Sequence, residues 1–387
     1  MSKAVKSTGR TAFRALAALS CLGVSLALPT ARAAGPSVDG PGESAVIPFT
    51  QRYHAVQHGG LVRASNSGIS CGRRADQDSD SCRQVKRGAA GVNSEFDMFY
   101  SDLDRDPNTY NSTRAELRVP AGAKVTYARL YWGGNLRVGE QKPPEDNGRV
   151  LIAEPGGEYK EVLADTRIGH RTADGSDAYQ ASADVTALVA ARGAGVWTVA
   201  QLNIAMGQSD VGAWGGWTLV AAYEHDKEPL RELSLWDGFQ PLAGTADPAG
   251  AEADKEAGRS RGAGLDLRLD GMNVPARGAG KVGIVGYDGD RGTLGDSLSV
   301  TADSGRRVSI SDAENPFNDV MNSTITEFGR SAFKRQPEHV NSLGYDADVF
   351  DLAPALSGGA RSLNFGFEAE SQGHFLGVLF VQADARR

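Results

Sequence analysis

Lys124-Val125-Thr126-Tyr127-Ala128-Arg129-Leu130-Tyr131-Trp132 sets Val125, Tyr127 and Arg129 on one side of an extended chain, with aromatic, branched or small residues at the other positions. Period-two order of this kind belongs to a β-strand, whose successive side chains point to opposite faces. Working outward, 195–200, 217–223, 281–287, 363–367 and 375–381 read the same way, each bounded by Gly, Pro, Asn or Asp as turns require. Leu233 to Phe239 and Leu265 to Leu269 also read as strands. The clearest helix is short: Ser182 or Asp184 caps Val185 to Ala191, and Gly193 ends it. With 48 glycines in 387 residues and few helix-forming runs, the chain reads as all-β. The architecture expected is a jelly-roll-like β-sandwich of two packed halves with one or two short helices.

The N-terminus has the three-part layout of a secretory signal. Lys3, Lys6, Arg10 and Arg14 form a positive region without acidic residues, Ala15 to Leu28 is apolar, and Ala31-Arg32-Ala33 presents small residues to a signal peptidase. The 14-residue apolar run is shorter than the roughly 20 residues a membrane-spanning helix needs. Residues 1–33 therefore read as a signal peptide cleaved before Ala34, and the product as secreted or extracellular. Arg10 and Arg14 are not adjacent, which argues against a twin-arginine route, and Cys21 has too short an apolar stretch ahead of it for a lipoprotein. Past the signal, no segment reads as a transmembrane span, and the end of the chain shows no wall-sorting pattern.

Without residues 1–33 the chain carries 36 Lys/Arg against 48 Asp/Glu, a formal charge of −12. Such a surface repels phosphate, so nucleic acid is not an expected partner. Cys21 leaves with the signal, and Cys71 and Cys82 remain as an even pair. Around the polar GRRADQDSDS between them, their spacing fits neither CxxC nor a zinc knuckle, and a disulfide pinning a surface loop is expected. The remaining chain divides into a flexible start at 34–48, a first β-rich half at 49–241, an exposed low-complexity loop at 242–263 and a second half at 264–387. Residues 71–92 read as a second exposed loop.

Five constellations bear on chemistry. Gly295-Asp296-Ser297-Leu298 spells the signature of a serine-esterase family, but Leu298 to Thr301 continues as a strand, and no Asp-x-x-His precedes either late histidine, His339 or His374. A serine nucleophile needs a positioned base, so Ser297 reads as an ordinary residue and a secreted esterase is the least favoured function. His54 and His58 are four apart, but Ala55 replaces the Glu of a zinc hydrolase and the surroundings read as a strand. Asp102, Asp104 and Asp106 offer oxygens at alternate positions, as calcium loops do. Pro107 and Thr113 occupy the positions of the EF-hand glycine and glutamate, which leaves a looser calcium site beside a solvated Asp-rich turn. Asp346 and Asp348 fall on one face of a strand, where two carboxylates repel unless a cation or an Arg lies between them. Trp132, Trp197, Trp214, Trp217 and Trp236 offer flat rings for a sugar platform; Trp197 and Trp217 alternate with apolar residues and read as core, whereas Trp214 in Gly212-Ala213-Trp214-Gly215-Gly216 is the candidate for an exposed platform.

Eight ordered blocks then point to a family. NTYNSTRAELRVPAG (108–122), VTYARLYWGG (125–134), DVTALV (184–189), GGWTLVAAYE (215–224), LSLWDGF (233–239), VGIVGYDGDRGTLGDSLSV (282–300), NPFNDVMNSTI (315–325) and VNSLGYDADVFDL (340–352) resemble the N-terminal module, of unknown function, of bacterial cell-surface proteins. That module often precedes arrays of conserved extracellular repeats. The resemblance covers roughly 50–385, its Ala/Arg/Gly-rich usage suggests an actinobacterial member, and it transfers no catalytic residues. Neither following repeats nor an anchor is expected for this member. The expected function is a non-catalytic binding or structural protein of the cell envelope or extracellular matrix, with envelope polysaccharide or a surface protein as partner. A calcium-dependent glycan-binding adhesion module is the nearest rival.

Overall fold

In the computed structural model, which describes residues 41–72, 78–104, 106–242, 264–331, 334–370 and 373–386, the chain is built mostly of strands, as an all-β sandwich-like fold. The signal segment and the low-complexity stretch at 243–263 lie outside the described residues. Every segment read as a strand is one, usually extended by a few residues: Lys124–Asn135, Gly195–Ala200, Gly215–Glu224, Leu230–Leu242, Leu265–Val274, Gly280–Tyr287, Ala360–Ala369 and His374–Asp384.

A ten-stranded sheet organises the fold. Its order runs Glu43–Ser44, Ile168–Ala173, Ser176–Asp184, Lys124–Asn135, Gly215–Glu224 and Ile47–Ser67, then Leu230–Leu242, His374–Asp384, Gly280–Tyr287 and Tyr345–Asp351. All of its pairings except the first are antiparallel. A five-stranded sheet packs on it where Trp217 donates through Nε1 to Thr113 Oγ1 at 2.8 Å. A four-stranded sheet is formed by Leu265–Val274, Ala360–Ala369, Asp296–Ala302 and Arg307–Ile310.

The apolar residues divide accordingly. One cluster draws Trp132, Trp197, Trp214, Trp217, Leu130 and Leu219 together, and a second draws on Leu242 onward, including Ile284, Phe350, Phe365 and Leu379. The strand His374–Asp384 serves both: Phe375, Val378 and Phe380 face the first cluster, while Leu376, Leu379 and Val381 face the second. Strands covered on both faces read as continuous apolar runs, which is why 375–381 and 281–287 lack polar alternation.

Three short helices are described. Thr186–Arg192 lies where the sequence placed it, with the Asp184 carboxylate accepting the Thr186 amide at 2.8 Å and Gly193 closing it at φ 67°. Ala353–Leu356 follows the strand Tyr345–Asp351. The third corrects the expected exposed loop at 71–92. Asp80–Lys86 is a helix capped by Ser79, whose Oγ accepts the Cys82 amide at 3.1 Å, and Cys82 and Val85 are buried. The polar composition of the segment reflects only its outer face.

Cys71 and Cys82 form the expected disulfide, across a sequence separation of 11. Closing a loop of this size stabilises a fold by about 3 kcal/mol through the unfolded state. Replacing both cysteines by serine should lower the unfolding free energy by about that amount, read as a lower urea midpoint with a slope that rises as the unlinked denatured chain exposes more surface.

Candidate functional site

The Asp102–Asp106 turn is held by its own hydrogen bonds. Asp104 Oδ1 accepts the Asp106 amide at 2.9 Å and the Thr109 hydroxyl at 3.2 Å, and Asp104 Oδ2 accepts the Tyr159 hydroxyl. Asp106 Oδ1 accepts the Asn108 amide at 2.9 Å, and Asp102 Oδ1 accepts Ser112 Oγ at 3.0 Å. Burial raises Asp104, but the bonds from Tyr159, Asp106, Thr109 and Ser112 outweigh it and hold the carboxyl below its ordinary value. The three carboxylates thus take separate protein partners. Among the described residues, no three His, Cys, Asp or Glu side chains are grouped to hold a metal ion.

Asp346 and Asp348 share one face of Tyr345–Asp351, as the alternation predicts, but both are fully buried. The segment 312–328 covers them. Asp346 Oδ1 accepts the Thr324 amide at 3.2 Å, and Asp348 Oδ1 accepts the Thr326 amide and hydroxyl, each at 2.7 Å. The Oδ2 atom of each has no partner. Burial, then the charge of Asp348, raises Asp346 well above the usual carboxylate range. Burial raises Asp348 to about 7 against the hydrogen bonds of Thr326 and the pull of Arg63. Nearby, Asp296 accepts the amides of Val320 at 2.6 Å and Met321 at 2.8 Å, and burial raises Asp319 to about 6 with help from Asp296.

Trp214 corrects the expectation of an exposed platform. It is completely buried, with its ring 5.7 Å from that of Tyr287 and 5.9 Å from that of Phe375. The flanking glycines serve close backbone packing: a Cβ on Gly215 would lie 2.7 Å from the Gly133 carbonyl oxygen. Ser297 lies in the strand Asp296–Ala302, donating to Glu368 at 3.4 Å. His54 lies 3.2 Å from Glu232, and His58 lies 2.8 Å from the Glu228 carbonyl, both on the strand Ile47–Ser67.

Two phenylalanine rings among the described residues stand exposed, Phe317 and Phe328, and the second lies at a trough. Glu327 and Arg330 exchange backbone hydrogen bonds around Phe328-Gly329, both of which have positive φ, 53° and 66°. A two-residue turn of this hand favours Asn-Gly or Asp-Gly, because a side chain larger than these strains the left-handed conformation. Phe328 nevertheless stands there 49% exposed. It rims a trough of about 440 Å³ at the ends of four strands of the large sheet, with Gly280 and Lys281 in the lining and Arg231, Asp351, Gln382 and Asp384 around them. Every charge there is ordered. Lys281 pairs with Glu327 at 3.1 Å, Arg231 with Glu228 at 2.8 Å, and Asp384 accepts the Ala279 amide at 2.9 Å. Burial lowers Lys281 against the pull of Glu327. A second depression of about 580 Å³, lined by His58, Glu228 and Pro275, shares Asp384. None of this was read from the sequence, where the sole local signal is an X-Gly pair between polar residues.

No protein-family model and no curated protein matches the chain. Among solved structures, it is similar to PNGase F, a glycosylasparaginase from Flavobacterium meningosepticum, at 10% identity over 74% of this chain and 95% of that one, with a TM-score of 0.23. It is also similar to a family 86 glycoside hydrolase solved with neoagarooctaose (9% identity, TM-score 0.23) and to a β-porphyranase from Bacteroides plebeius (11%, TM-score 0.22). The chain spans 41% of each of those two proteins. These scores transfer no residue role and assign no reaction. They do correct the expectation of a non-enzyme: these neighbours are glycan-acting enzymes, and the lack of a nucleophile–base pair in the sequence does not place the chain outside that class.

The raised carboxyls set the sign of a pH effect. A carboxyl raised in the folded state keeps a proton that the unfolded chain gives up, so its contribution is present at low pH and is lost as pH rises through the folded value. For Asp319 that window runs from about 4 to about 6. Asp319→Asn should therefore gain on the wild type by about 1 kcal/mol between pH 4.5 and pH 7.5, after allowance for solvent screening, read from urea midpoints at the two pH values.

Proposed function

We propose that the protein works outside the cytoplasm as a glycan-contacting module of the bacterial cell envelope, with the trough under Phe328 as its contact surface. The observation that carries this reading is a bulky aromatic residue held exposed in a strained conformation beside a ring of ordered polar groups. Backbone strain persists where the surrounding structure enforces it, and it concentrates at binding sites. A flat ring beside fixed donors and acceptors suits a pyranose, which offers an apolar face and a rim of hydroxyls. The signal-like N-terminus, the acidic balance, the disulfide and the resemblance to a surface-protein module support export. No helix among the described residues is long and apolar enough to cross a membrane.

Titration calorimetry of the exported protein against wall and capsule polysaccharides, with calcium and with EDTA, tests the reading. Phe328→Gly should weaken binding about tenfold by removing the ring. Because it also relieves the left-handed strain, the same change should raise the melting temperature, so lost binding is separated from lost folding. Equal affinity of variant and wild type would dismiss the trough, and heat from no polysaccharide would dismiss the glycan reading.

A further inference from the structure

The seam between Tyr345–Asp351 and the segment 312–328 contains a closed ring of hydrogen bonds. The Thr324 hydroxyl donates to Asn315 Oδ1 at 2.7 Å and lies 3.1 Å from Asp348 Oδ1. The Thr326 hydroxyl donates to the same Asp348 oxygen at 2.7 Å and accepts from Asn315 Nδ2 at 3.0 Å. Asn315, Thr324 and Asp348 are completely buried, and Thr326 is 5% exposed. Asp312 Oδ1 accepts Asn315 Nδ2 at 3.0 Å, which fixes the nitrogen end of the carboxamide and turns its oxygen toward Thr324. With a C=O bond of about 1.2 Å, the carboxamide carbon lies within about 3.9 Å of the Thr324 hydroxyl.

A hydroxyl against a carboxamide, a carboxyl touching that hydroxyl, and a second hydroxyl bridging the carboxyl to the amide nitrogen are the parts of an acyl transfer. We infer that Thr324 and Asn315 join in an intramolecular ester, with Asp348 as the base and Thr326 as the proton relay. Thr324 Oγ gives its proton to Asp348 Oδ1 and bonds to the Asn315 side-chain carbon. As the tetrahedral centre collapses, the carbon–nitrogen bond breaks. Asp348 passes its proton to the Thr326 hydroxyl, which hands its own to Nδ2, and ammonia leaves. One hydroxyl and one carboxamide become one ester and one ammonia, and no electrons change hands.

The surroundings suit each step. Burial and the pull of Arg63 set Asp348 near neutrality, where a carboxyl both takes and returns a proton. Exclusion of water removes the competing hydrolysis of the product. The residue after Asn315 is Pro316, which has no backbone N–H, so the usual attack of the following amide on an asparagine side chain is blocked. The ester would close residues 315–324 into a covalent ring within the segment that covers Asp346 and Asp348. This inference stands on the seam alone, independent of the trough and of any glycan.

Intact-mass and tryptic analysis of the folded, exported protein reads the bond directly. Trypsin should release Val308–Arg330 as one peptide lighter by one ammonia, with few fragment ions between Asn315 and Thr324 because that stretch is a ring. Thr324→Val, close in shape, should restore the full mass and the missing fragments, and Asp348→Asn should do the same with the hydroxyl still present. If Thr324→Val fails to fold, Asp348→Asn and the wild-type fragments decide. A full-mass peptide from the folded wild type would overturn the ester and leave a purely hydrogen-bonded ring. So would an ammonia loss that survives in Thr324→Val, because it would place the loss at Asn318 or Asn322.

Discussion

Covering Gly280–Tyr287, His374–Asp384 and Tyr345–Asp351 on both faces is the constraint from which the other features follow. A strand with one wet face tolerates polar residues on alternate positions; a strand between two cores must make each residue apolar or satisfy it internally. Val282, Ile284, Leu379 and Val381 take the first course. Asp346 and Asp348 take the second, and the segment 312–328 supplies the amides and hydroxyls that make it tolerable. Removing water raises both carboxyls and makes each hydrogen bond there stronger than it would be at the surface.

The same sheet explains where the protein is open. Strands stop being covered at their ends, and there the chain must turn back. At one end Phe328-Gly329 makes the return beside Lys281 and Arg231, leaving a ring exposed above groups whose charges are already paired. Ordered side chains lose little freedom when a ligand arrives, so an arrangement fixed beforehand binds at lower entropic cost.

Much of the fold was legible because local pattern and tertiary demand agree. Val125, Tyr127 and Arg129 do share a strand, and Ser297 continues a strand as its neighbours implied. Cys71 and Cys82 pair as spacing and compartment suggested. Two residues and one helix went otherwise for identifiable reasons. Glycines beside Trp214 read locally as a loop that exposes the ring, but they permit a close backbone approach that buries it. The helix Asp80–Lys86 hid behind its polar outer face, because only Cys82 and Val85 turn inward. Phe328 carried no periodic signal, since its exposure arises from a positive φ rather than from a pattern of neighbours.

By itself the sequence determined that the chain forms strands and which of their faces are apolar, because those properties depend on residues a few positions apart. Only the tertiary structure decided that Asp348 meets Thr324 and Asn315, that Trp214 is core, and that Phe328 stands over Lys281. Such meetings depend on which strands pair and which segments cross over them. Burial then changes the chemistry of a side chain more than its identity does, because the free energy of a charge is governed by what replaces its water.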